Sequence, residues 1–361
     1  PAAGGVRSAA AAAACVCGDA VFEGCLRALL DTSMSAEAHA AQVDRCLGDL
    51  EAVVRGSLWD SDRWSVSAFG SAVNGFGTFC SDLDVAVCCS RCEGEGDEAV
   101  AVLRRLRRAV QRWSEHFTVK FAVLYARVPV LKLRYRESLD VDVSVHNTRP
   151  LQNTRLLKAY AALGKQVAEL GVAVKLWAKG QGICGAAQGH LSSYSFLLLA
   201  LYFLQVALPE PLPCLQPASG DWSAFEDDRS VKALISKVAA SGWRLELSVA
   251  ALLCGFFAFY ARDFAWGSEV VSVRLGRREQ AAAAAFAQLA GREEERLHVE
   301  DPFELQRNLR DVLAPRLERE LRRAFEAADA AARGGRHLRL FPQVECGAAV
   351  PLAVGAVAVA R

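Results

Sequence analysis

The chain has 361 residues, of which 52% are hydrophobic and 23% are charged. These fractions are typical of a globular protein and exclude a largely disordered chain. The length favours two domains over one. Because the formal net charge is only +1, any contact with a polyanion has to come from a local basic patch.

The cysteine pattern and the hydropathy pattern bear on the compartment. The twelve cysteines are spread along the chain, and several lie in apolar runs that favour buried free thiols. We therefore expect an intracellular, reducing compartment, with cytoplasm and mitochondrion both open. The apolar stretch from Cys346 to Ala360 is shorter than the roughly 20 residues that span a bilayer, so no membrane contact is expected.

The first half of the chain predicts a sheet domain. Residues 1–35 are expected to be a flexible segment, and 36–56 an amphipathic helix that packs on a helical domain. Runs rich in β-branched and aromatic residues then predict five strands, and an arginine-rich segment predicts a helix between the second and third strands. The strands are Trp64–Phe69, Leu83–Cys88, Phe117–Tyr125, Val128–Tyr135 and Leu139–Val145, and the helix is Ala99–Trp113. A sheet domain over 57–147 follows.

From Thr154 onward the apolar residues recur at helical spacing. Helices are predicted over Thr154–Leu163, Val167–Gln181, Ser193–Leu208, Asp228–Gly242, Ser248–Asp263, Arg277–Leu289 and Pro315–Ala332. Residues 148–341 are therefore expected to form a mainly helical domain, followed by a tail over 342–361. The fold class predicted for the whole chain is α+β.

Paired acidic residues on two strands are the most informative pattern. Asp82 and Asp84 follow a Gly70-Ser71 turn, and alternation along a strand places both carboxylates on one face, about 7 Å apart. Asp-x-Asp by itself is more often solvated surface charge. Asp142, on a later strand, adds a further carboxylate, and three acids on one sheet face repel one another unless cations neutralise them. The pattern predicts a site for two Mg²⁺ or Mn²⁺ ions.

These residues resemble the signature of the DNA polymerase beta-like nucleotidyltransferase superfamily, and within it the terminal uridylyltransferases and noncanonical poly(A) polymerases. The resemblance runs from about Phe69 to Leu309. Collinear matches are Ala126–Val130, Asn153-Thr154, Val174–Lys179, Leu191–Tyr194 and Glu300–Glu304. It implies a catalytic sheet domain and a helical nucleotide-recognition domain, with the active site in the cleft between them. Asp82, Asp84 and Asp142 would be the catalytic and metal-binding residues.

The resemblance also implies a set of nucleotide contacts, each with an ordinary structural alternative. Lys175 and Lys179 share a helix face and would grip the triphosphate, although isolated lysines are usually solvated. Ser193 would bind phosphate or cap its helix, and Tyr194 would stack on the base or lie in the core. The remaining contacts implied are Gly70 and Ser71 to phosphates, and Asn153 and Thr154 to ribose and base.

The segment 299–308 resembles the base-recognition loop of this family. Asp301 and Glu304 would accept the N3–H of uracil, and an acidic helix cap is the alternative interpretation. Some uridylyltransferases of the family carry a histidine where this chain has Arg307, which leaves discrimination against ATP open. Arg127 is a candidate RNA contact. Five arginines on the predicted helix over 99–113 form either a phosphate track or, more commonly, a solvated face.

The function predicted from the sequence is template-independent addition of nucleotides to the 3′ end of a single-stranded RNA. UTP is the favoured substrate, with release of pyrophosphate by two-metal catalysis. A noncanonical poly(A) polymerase that uses ATP is the nearest alternative. An alternative of another class is a catalytically inactive scaffold that binds RNA or a partner protein. The sequence gives no protein partner.

Overall fold

A computed structural model describes residues 20–34, 37–79, 81–90, 96–217, 220–280 and 296–341. Its α-helices are α1 (Ala20–Ser33), α2 (Glu37–Ser57), α3 (Gly96–Trp113), α4 (Arg149–Ala162), α5 (Lys165–Gly180), α6 (Ser193–Val206), α7 (Asp228–Ala240), α8 (Val249–Ala258) and α9 (Pro315–Arg333). Its strands are β1 (Trp64–Phe69), β2 (Leu83–Cys89), β3 (Phe117–Val123), β4 (Val130–Tyr135), β5 (Leu139–Val145), β6 (Val270–Val271) and β7 (His298–Val299). The predicted tail 342–361 and most of the helix predicted over Arg277–Leu289 lie outside the described residues.

The strands β1 to β5 form one mixed sheet in the order β1-β2-β5-β4-β3. β2 and β5 are parallel, and the other neighbours are antiparallel. Val85 and Val143 are fully buried on the face that α2 and α3 cover, together with neighbouring strand residues. Because side chains alternate along a strand, Asp84 and Asp142 project from the opposite face. The sheet therefore has one apolar face and one face that carries charge.

A β-bulge in the edge strand β3 changes which side chains reach the charged face. The pairing with β4 shifts between Val119 and Phe121, so that Lys120 is an extra residue. Val119 packs against the core, whereas Lys120 and Phe121 are both exposed. A bulge interrupts strict alternation and re-aims side chains. This irregularity brings a lysine and an aromatic ring onto the charged face together.

Helix α2 packs on the sheet, which corrects the prediction that residues 36–56 form a helix of the helical domain's surface. Val43, Leu50 and Val54 are at most 3% exposed and belong to the same hydrophobic core as the sheet. The apolar stripe correctly indicated an amphipathic helix. It could not indicate the partner, because any apolar surface satisfies such a stripe.

Part of the expected flexible segment is a packed helix. Within α1, Phe22, Leu26 and Leu30 are 4%, 1% and 1% exposed, at the i, i+4, i+8 spacing of one helix face. The Glu23 carboxylate accepts a hydrogen bond of 2.9 Å from the backbone N–H of Ala250 at the start of α8. The expectation of flexibility is therefore wrong for residues 20–33, and residues 1–19 lie outside the described part.

The chain divides into two compact units whose boundaries differ from those predicted. One unit, the sheet unit, comprises 33–168 and 215–244, and the other, the helical unit, comprises 1–32, 169–214 and 245–361. The predicted boundary after 147 assigns α4 to the helical domain, but α4 belongs to the sheet unit. Within that unit the Arg155 guanidinium donates to the Phe225 carbonyl oxygen at 3.2 Å and lies 3.5 Å from the Asp228 carboxylate. These contacts tie the segment 215–244 to α4.

The core of the helical unit is built on two helices that are apolar on all sides. All ten residues of α8 are buried, and so are most residues of α6. Helices of this kind belong in the middle of a core. Trp177, Phe256 and Phe325 pack their rings there, with centroids 5.2 Å to 6.5 Å apart. Within the described ranges, no helix is long and apolar enough to cross a membrane.

The cysteines of the described residues are free thiols, namely Cys25, Cys46, Cys88, Cys89, Cys184, Cys214 and Cys254. Burial raises the pKa of the Cys46 thiol to about 12, which makes it unreactive. The compartment stays a prediction of the sequence.

The packing of α1 predicts a clear difference between two truncations on one helix. Leu26→Ala removes a side chain that is 1% exposed and should lower the free energy of unfolding by about 2 to 5 kcal/mol in urea denaturation. The control Val21→Ala, at a position that is 75% exposed, should change it by less than about 0.5 kcal/mol. Equal small effects would show that α1 contributes nothing to the core.

Candidate active site

The register of β2 and β5 places two carboxylates side by side. Asp84 is the direct partner of Asp142 in the parallel ladder, and Asp142 is the direct partner of Lys132 in the antiparallel ladder with β4. The Lys132 ammonium forms an ion pair with the Asp142 carboxylate. Burial, and then the charges of Asp142 and Asp82, raise the pKa of Asp84 to about 7. Asp84, Asp142 and Lys132 therefore form a row of ionisable side chains across three neighbouring strands.

Asp82 stands immediately before β2 and shares this electrostatic environment. Its pKa is raised by burial, then by the charges of Asp142 and Asp140. Among the residues that the structure describes, no three histidine, cysteine or carboxylate side chains are grouped closely enough to hold a metal ion. The Asp142 carboxylate is instead paired with the Lys132 ammonium.

Asp140 is separated from this group by its own partners, although it lies on the same strand face as Asp142. Its carboxylate accepts hydrogen bonds from Arg134 at 2.8 Å and Lys120 at 2.9 Å. The hydrogen bond from Arg134 is the main cause of its lowered pKa. The structure thus places Asp142, and not Asp140, beside Asp84.

The Gly70-Ser71 turn lies directly against the carboxylates. Gly70 has a φ of +76°, and a Cβ at this position would overlap the Asp84 carboxylate oxygen Oδ2. Glycine is required here for the left-handed backbone and for the close approach. The Gly70 N–H donates to Thr154 Oγ1 at 2.9 Å, and Ser71, next in the turn, is partly buried.

Thr154 and Asn153, both predicted nucleotide contacts, have different environments in α4. The Thr154 hydroxyl accepts from Gly70 and donates to the Pro150 carbonyl at 2.7 Å, so it anchors the turn to the helix. Asn153 Oδ1 is buried and has no hydrogen-bond partner among the described residues. Since an unpaired buried acceptor costs free energy, Asn153 is the better candidate for a ligand contact.

In the helical unit, Lys175 and Lys179 lie one turn apart on α5 but differ in burial. Lys175 is 3% exposed, and burial, followed by the charge of Lys179, lowers its pKa to about 8. Lys179 is exposed. Burial disfavours the charged form of a lysine, and an approaching anion favours it. Lys175 therefore has the properties of a binding residue more than those of a solvated surface lysine.

The start of α6 differs from the predicted capping. Ser192, and not Ser193, is the N-cap residue, since its Oγ accepts from the Ser195 N–H at 3.2 Å. The Ser193 side chain is consequently left available for a ligand at the first helical position. The Tyr194 hydroxyl is buried and has no hydrogen-bond partner in the part of the chain that the structure describes, and its pKa is raised by burial and then by the charge of Asp301.

The segment 300–308 forms a closed loop that places two acidic residues in unequal positions. Asp301 Oδ1 accepts from the N–H groups of Phe303 at 3.0 Å and Glu304 at 3.1 Å. The Arg307 guanidinium lies 3.6 Å from Asp301 and 3.7 Å from Glu304. The Asp301 side chain is 1% exposed and that of Glu304 is 19% exposed. Asp301 organises the loop, and Glu304 is the more accessible acceptor.

Several functional candidates were missing from the sequence prediction. Lys132 and Lys120 are recognisable only from strand register and from the bulge in β3.

Arg127, the predicted RNA contact, is exposed in the turn between β3 and β4. Its neighbour Tyr125 is 92% exposed, and Phe121 is 51% exposed. Exposed aromatic rings beside basic residues extend the charged face toward the sheet edge.

The fold and the site together define a protein class. A mixed five-stranded sheet with facing carboxylates on adjacent strands, beside a Gly-Ser turn, is a nucleotidyltransferase domain of the DNA polymerase beta-like type. Residues 22–162 match the family described as poly(A) RNA polymerase, mitochondrial-like, central palm domain. Residues 248–307 match the Cid1 family poly A polymerase domain. The chain belongs to the nucleotidyltransferase family that contains the terminal uridylyltransferases and the GLD2 and Cid1 polymerases.

The individual relatives include both uridylyltransferases and poly(A) polymerases, the two activities between which the sequence leaves the choice open. Human terminal uridylyltransferase 7 is 32% identical over 289 residues, which is 77% of this chain and 18% of the relative. Poly(A) RNA polymerase GLD2 of Danio rerio is 36% identical over 217 residues, which is 58% of this chain and 43% of the relative. The chain thus spans less than half the length of these curated relatives.

Solved structures share the fold. The structure of the GLD-2/RNP-8 complex matches with a TM-score of 0.71 at 22% identity, covering 90% of this chain and 98% of that chain. Cid1 in complex with its short product ApU matches with a TM-score of 0.71 at 22% identity, covering 89% and 97%. These similarities confirm the predicted α+β fold class.

The burial of Lys175 predicts that a neutral substitution stabilises the chain. Lowering the pKa from 10.5 to about 8 corresponds to roughly 3 kcal/mol of unfavourable burial at pH 7, which Lys175→Met removes. Between pH 8 and 10.5 the unfolded chain holds more protons than the folded chain, so the original protein gains stability as pH rises and the difference shrinks. Urea denaturation at neutral and alkaline pH measures this.

The matched control is Lys179→Met, because Lys179 is exposed on the same helix. We expect no comparable gain in the free energy of unfolding from this variant. Loss of stability in the Lys175 variant at pH 7 would contradict the interpretation of Lys175 as an unfavourably buried charge.

Proposed function

We propose that this chain transfers nucleotides to the 3′ end of single-stranded RNA without a template, with UTP as the preferred substrate and pyrophosphate as the second product. The observation that carries the proposal is the register of Asp84 with Asp142 beside the Gly70 turn. The relatives support the reaction class, because those named above are terminal uridylyltransferases and poly(A) polymerases.

The donor set fits hard divalent cations. Asp82, Asp84 and Asp142 offer only carboxylate oxygens, which Mg²⁺ and Mn²⁺ prefer. Burial, followed by repulsion from Asp142 and Asp82, raises the pKa of Asp84, and Asp142 holds an ammonium. The repulsion and the ion pair both indicate a position that favours positive charge. A related Cid1 structure was solved with MgGTP bound. In this proposal two such ions, when bound, lower the pKa of the RNA 3′-hydroxyl and neutralise the triphosphate.

The chain's own residues orient the substrates. Asp142 fixes the side on which the 3′-hydroxyl is activated, and Asp82 and Asp84 fix the side of the triphosphate. The Gly70-Ser71 turn offers the Ser71 hydroxyl to a phosphate oxygen, while Thr154 holds the turn in place. Asn153 offers its unpaired amide oxygen to a ribose hydroxyl.

The helical unit supplies the remaining nucleotide contacts in this proposal. Lys175, Lys179 and the Ser193 hydroxyl bind the phosphates, since a cation and a helix N-terminus both favour negative charge. Tyr194 stacks on the base, and its neighbour Glu304 accepts the uracil N3–H. Adenine has an acceptor nitrogen at the matching position, so a carboxylate there favours UTP over ATP.

Two other functions would use the same fold. A poly(A) polymerase would use the same catalytic residues with a different base, and the ion pair between Arg307 and Glu304 is the feature that favours it, because it draws the acceptor away from uracil. An inactive scaffold would be expected to lack at least one carboxylate, whereas Asp82, Asp84 and Asp142 are all present.

The charged face of the sheet unit also suits the RNA end. The Lys132 ammonium lies 5.9 Å from the centre of the Phe121 ring, and Lys120 projects from the same bulge. Exposed aromatic rings stack on bases and lysines attract phosphates. We therefore assign the RNA 3′ terminus to the side of the carboxylates where β3 forms the sheet edge, near Arg127.

Removing Asp142 tests the catalytic assignment. Asp142→Ala should abolish extension of a labelled RNA in the presence of Mg²⁺ or Mn²⁺, while UTP binding, measured by calorimetry, is mostly retained. The physical reason is that Asp82 and Asp84 still serve the triphosphate. The control Asp140→Ala changes the neighbouring carboxylate, which is held by Arg134 and Lys120, and should keep most activity. Near-normal extension by the Asp142 variant would refute the assignment.

Competition between nucleotides tests the base preference. At equal UTP and ATP concentrations we expect UMP incorporation to dominate by roughly 5- to 150-fold, because an unpaired buried acceptor costs about 1 to 3 kcal/mol. Glu304→Gln should lower this ratio by replacing one carboxylate oxygen with a donor. Glu320→Gln, on α9 of the same unit, is the control and should leave the ratio unchanged. A preference for ATP in the unmodified chain would assign it to the poly(A) polymerases.

A further inference from the structure

The outer face of α3 carries a row of arginines that the proposed reaction does not use. The inner face of the helix is apolar, and Val102, Leu106 and Val110 are at most 1% exposed in the core beneath the sheet. The outer face exposes five arginines, which are Arg104, Arg105, Arg107, Arg108 and Arg112. Although the net charge of the chain is only +1, the outer face of α3 is a local concentration of positive charge.

The arrangement of these arginines is unfavourable for the helix itself. Arg104 and Arg108 are four residues apart, and Arg108 and Arg112 again, so like charges stand above one another along one face. Among the residues that the structure describes, Arg104, Arg107 and Arg108 form no ion pair with a carboxylate. The helix geometry alone gives no reason for this pattern.

Helix α9 shows the usual solution to the same problem. It is also rich in arginine, but Arg316 pairs with Glu320 at 3.1 Å, and Arg333 pairs with Asp329 at 3.0 Å. Both pairs have the i, i+4 spacing that stabilises helices. The absence of such partners for Arg104, Arg107 and Arg108 in the described residues points to a negatively charged ligand from outside the chain.

The surroundings of α3 favour a nucleic acid over a protein. At its edge the Arg105 guanidinium lies 5.5 Å from the centre of the Trp59 ring and is held by the Ser57 carbonyl. Trp59 is 43% exposed. An exposed ring beside regularly spaced guanidinium groups offers base stacking together with phosphate contacts, the combination found in single-strand binding surfaces.

We propose that the outer face of α3, with Trp59 at its edge, binds the phosphate backbone of RNA upstream of the 3′ end. This surface lies on the opposite side of the sheet from Asp84 and Asp142, separated from them by the sheet and by the thickness of the helix, which is about 10 Å. A trinucleotide at the catalytic face does not extend that far, whereas a longer strand does. The inference rests on the proposed function, because that function makes RNA the polyanion that the chain meets.

The experiment compares the unmodified chain with the triple variant Arg104→Gln, Arg107→Gln, Arg108→Gln. The probe is a labelled single-stranded RNA of about 30 nucleotides with a 3′-deoxy end, titrated without NTP at several salt concentrations. Each lost phosphate contact should make the slope of log K against log salt shallower by about 0.7, or about 2 for three contacts, and weaken binding about 10- to 100-fold near 0.1 M salt.

Extension of a trinucleotide by the triple variant should stay within about twofold of the unmodified chain. The matched control neutralises three exposed arginines of α9 (Arg316→Gln, Arg319→Gln, Arg323→Gln), which changes the net charge equally and should leave the slope nearly unaltered. Unchanged RNA affinity and slope in the α3 variant would overturn the proposal, as for a surface that serves an acidic protein. Equal loss of trinucleotide extension would overturn it as well.

Failure of the proposed function would be visible separately. If the unmodified chain did not extend the trinucleotide with any of the four NTPs, the transferase proposal would fail. A shallower slope in the α3 variant on the non-extendable RNA would still support the RNA surface.

Discussion

Parallel pairing of β2 with β5 is the constraint on which the site depends. It sets Asp84 directly against Asp142 on the same sheet face, a position that two carboxylates occupy only when the surroundings supply positive charge. The Lys132 ammonium on the next strand supplies part of it. A glycine at position 70 is then required, because any side chain there would displace the Asp84 oxygen. The strand register, the neighbouring positive charge and the geometry of the turn therefore depend on one another.

The helical unit depends on a different constraint, which is the burial of ionisable and polar groups. Burial lowers the pKa of Lys175, and the Tyr194 hydroxyl is buried with no hydrogen-bond partner among the described residues. Such groups lower the free energy of unfolding of the ligand-free protein, and a ligand that pairs with them raises it. The apolar core formed by α6 and α8 offsets this loss of stability, because both helices are apolar on every side and are almost entirely buried.

The parts of the structure that follow local rules could be predicted from the sequence. Period-two patterns gave β1 and β5 their observed bounds, and the spacing of Asp82, Asp84 and Asp142 indicated a shared face. Long-range choices could not be predicted in the same way. The stripe of α2 does not specify its partner, and α1 was hidden by the alanine-rich segment before it. The pairing of Lys132 with Asp142 depends on a register that no single strand encodes. Capping by Ser192 instead of Ser193 reflects one residue of uncertainty that sequence rules leave at helix ends.

The bulge in β3 determines what a change in chain length would do to this strand. Phe121 reaches the charged face because Lys120 is an extra residue between Val119 and Phe121. If Lys120 were deleted, Val119 and Phe121 would keep their partners in β4, and the remaining side chains of β3 would keep their faces. The deletion would remove the ammonium that lies 2.9 Å from the Asp140 carboxylate. A single-residue deletion at the bulge would therefore change the charge of this face and leave its alternation of polar and apolar side chains intact.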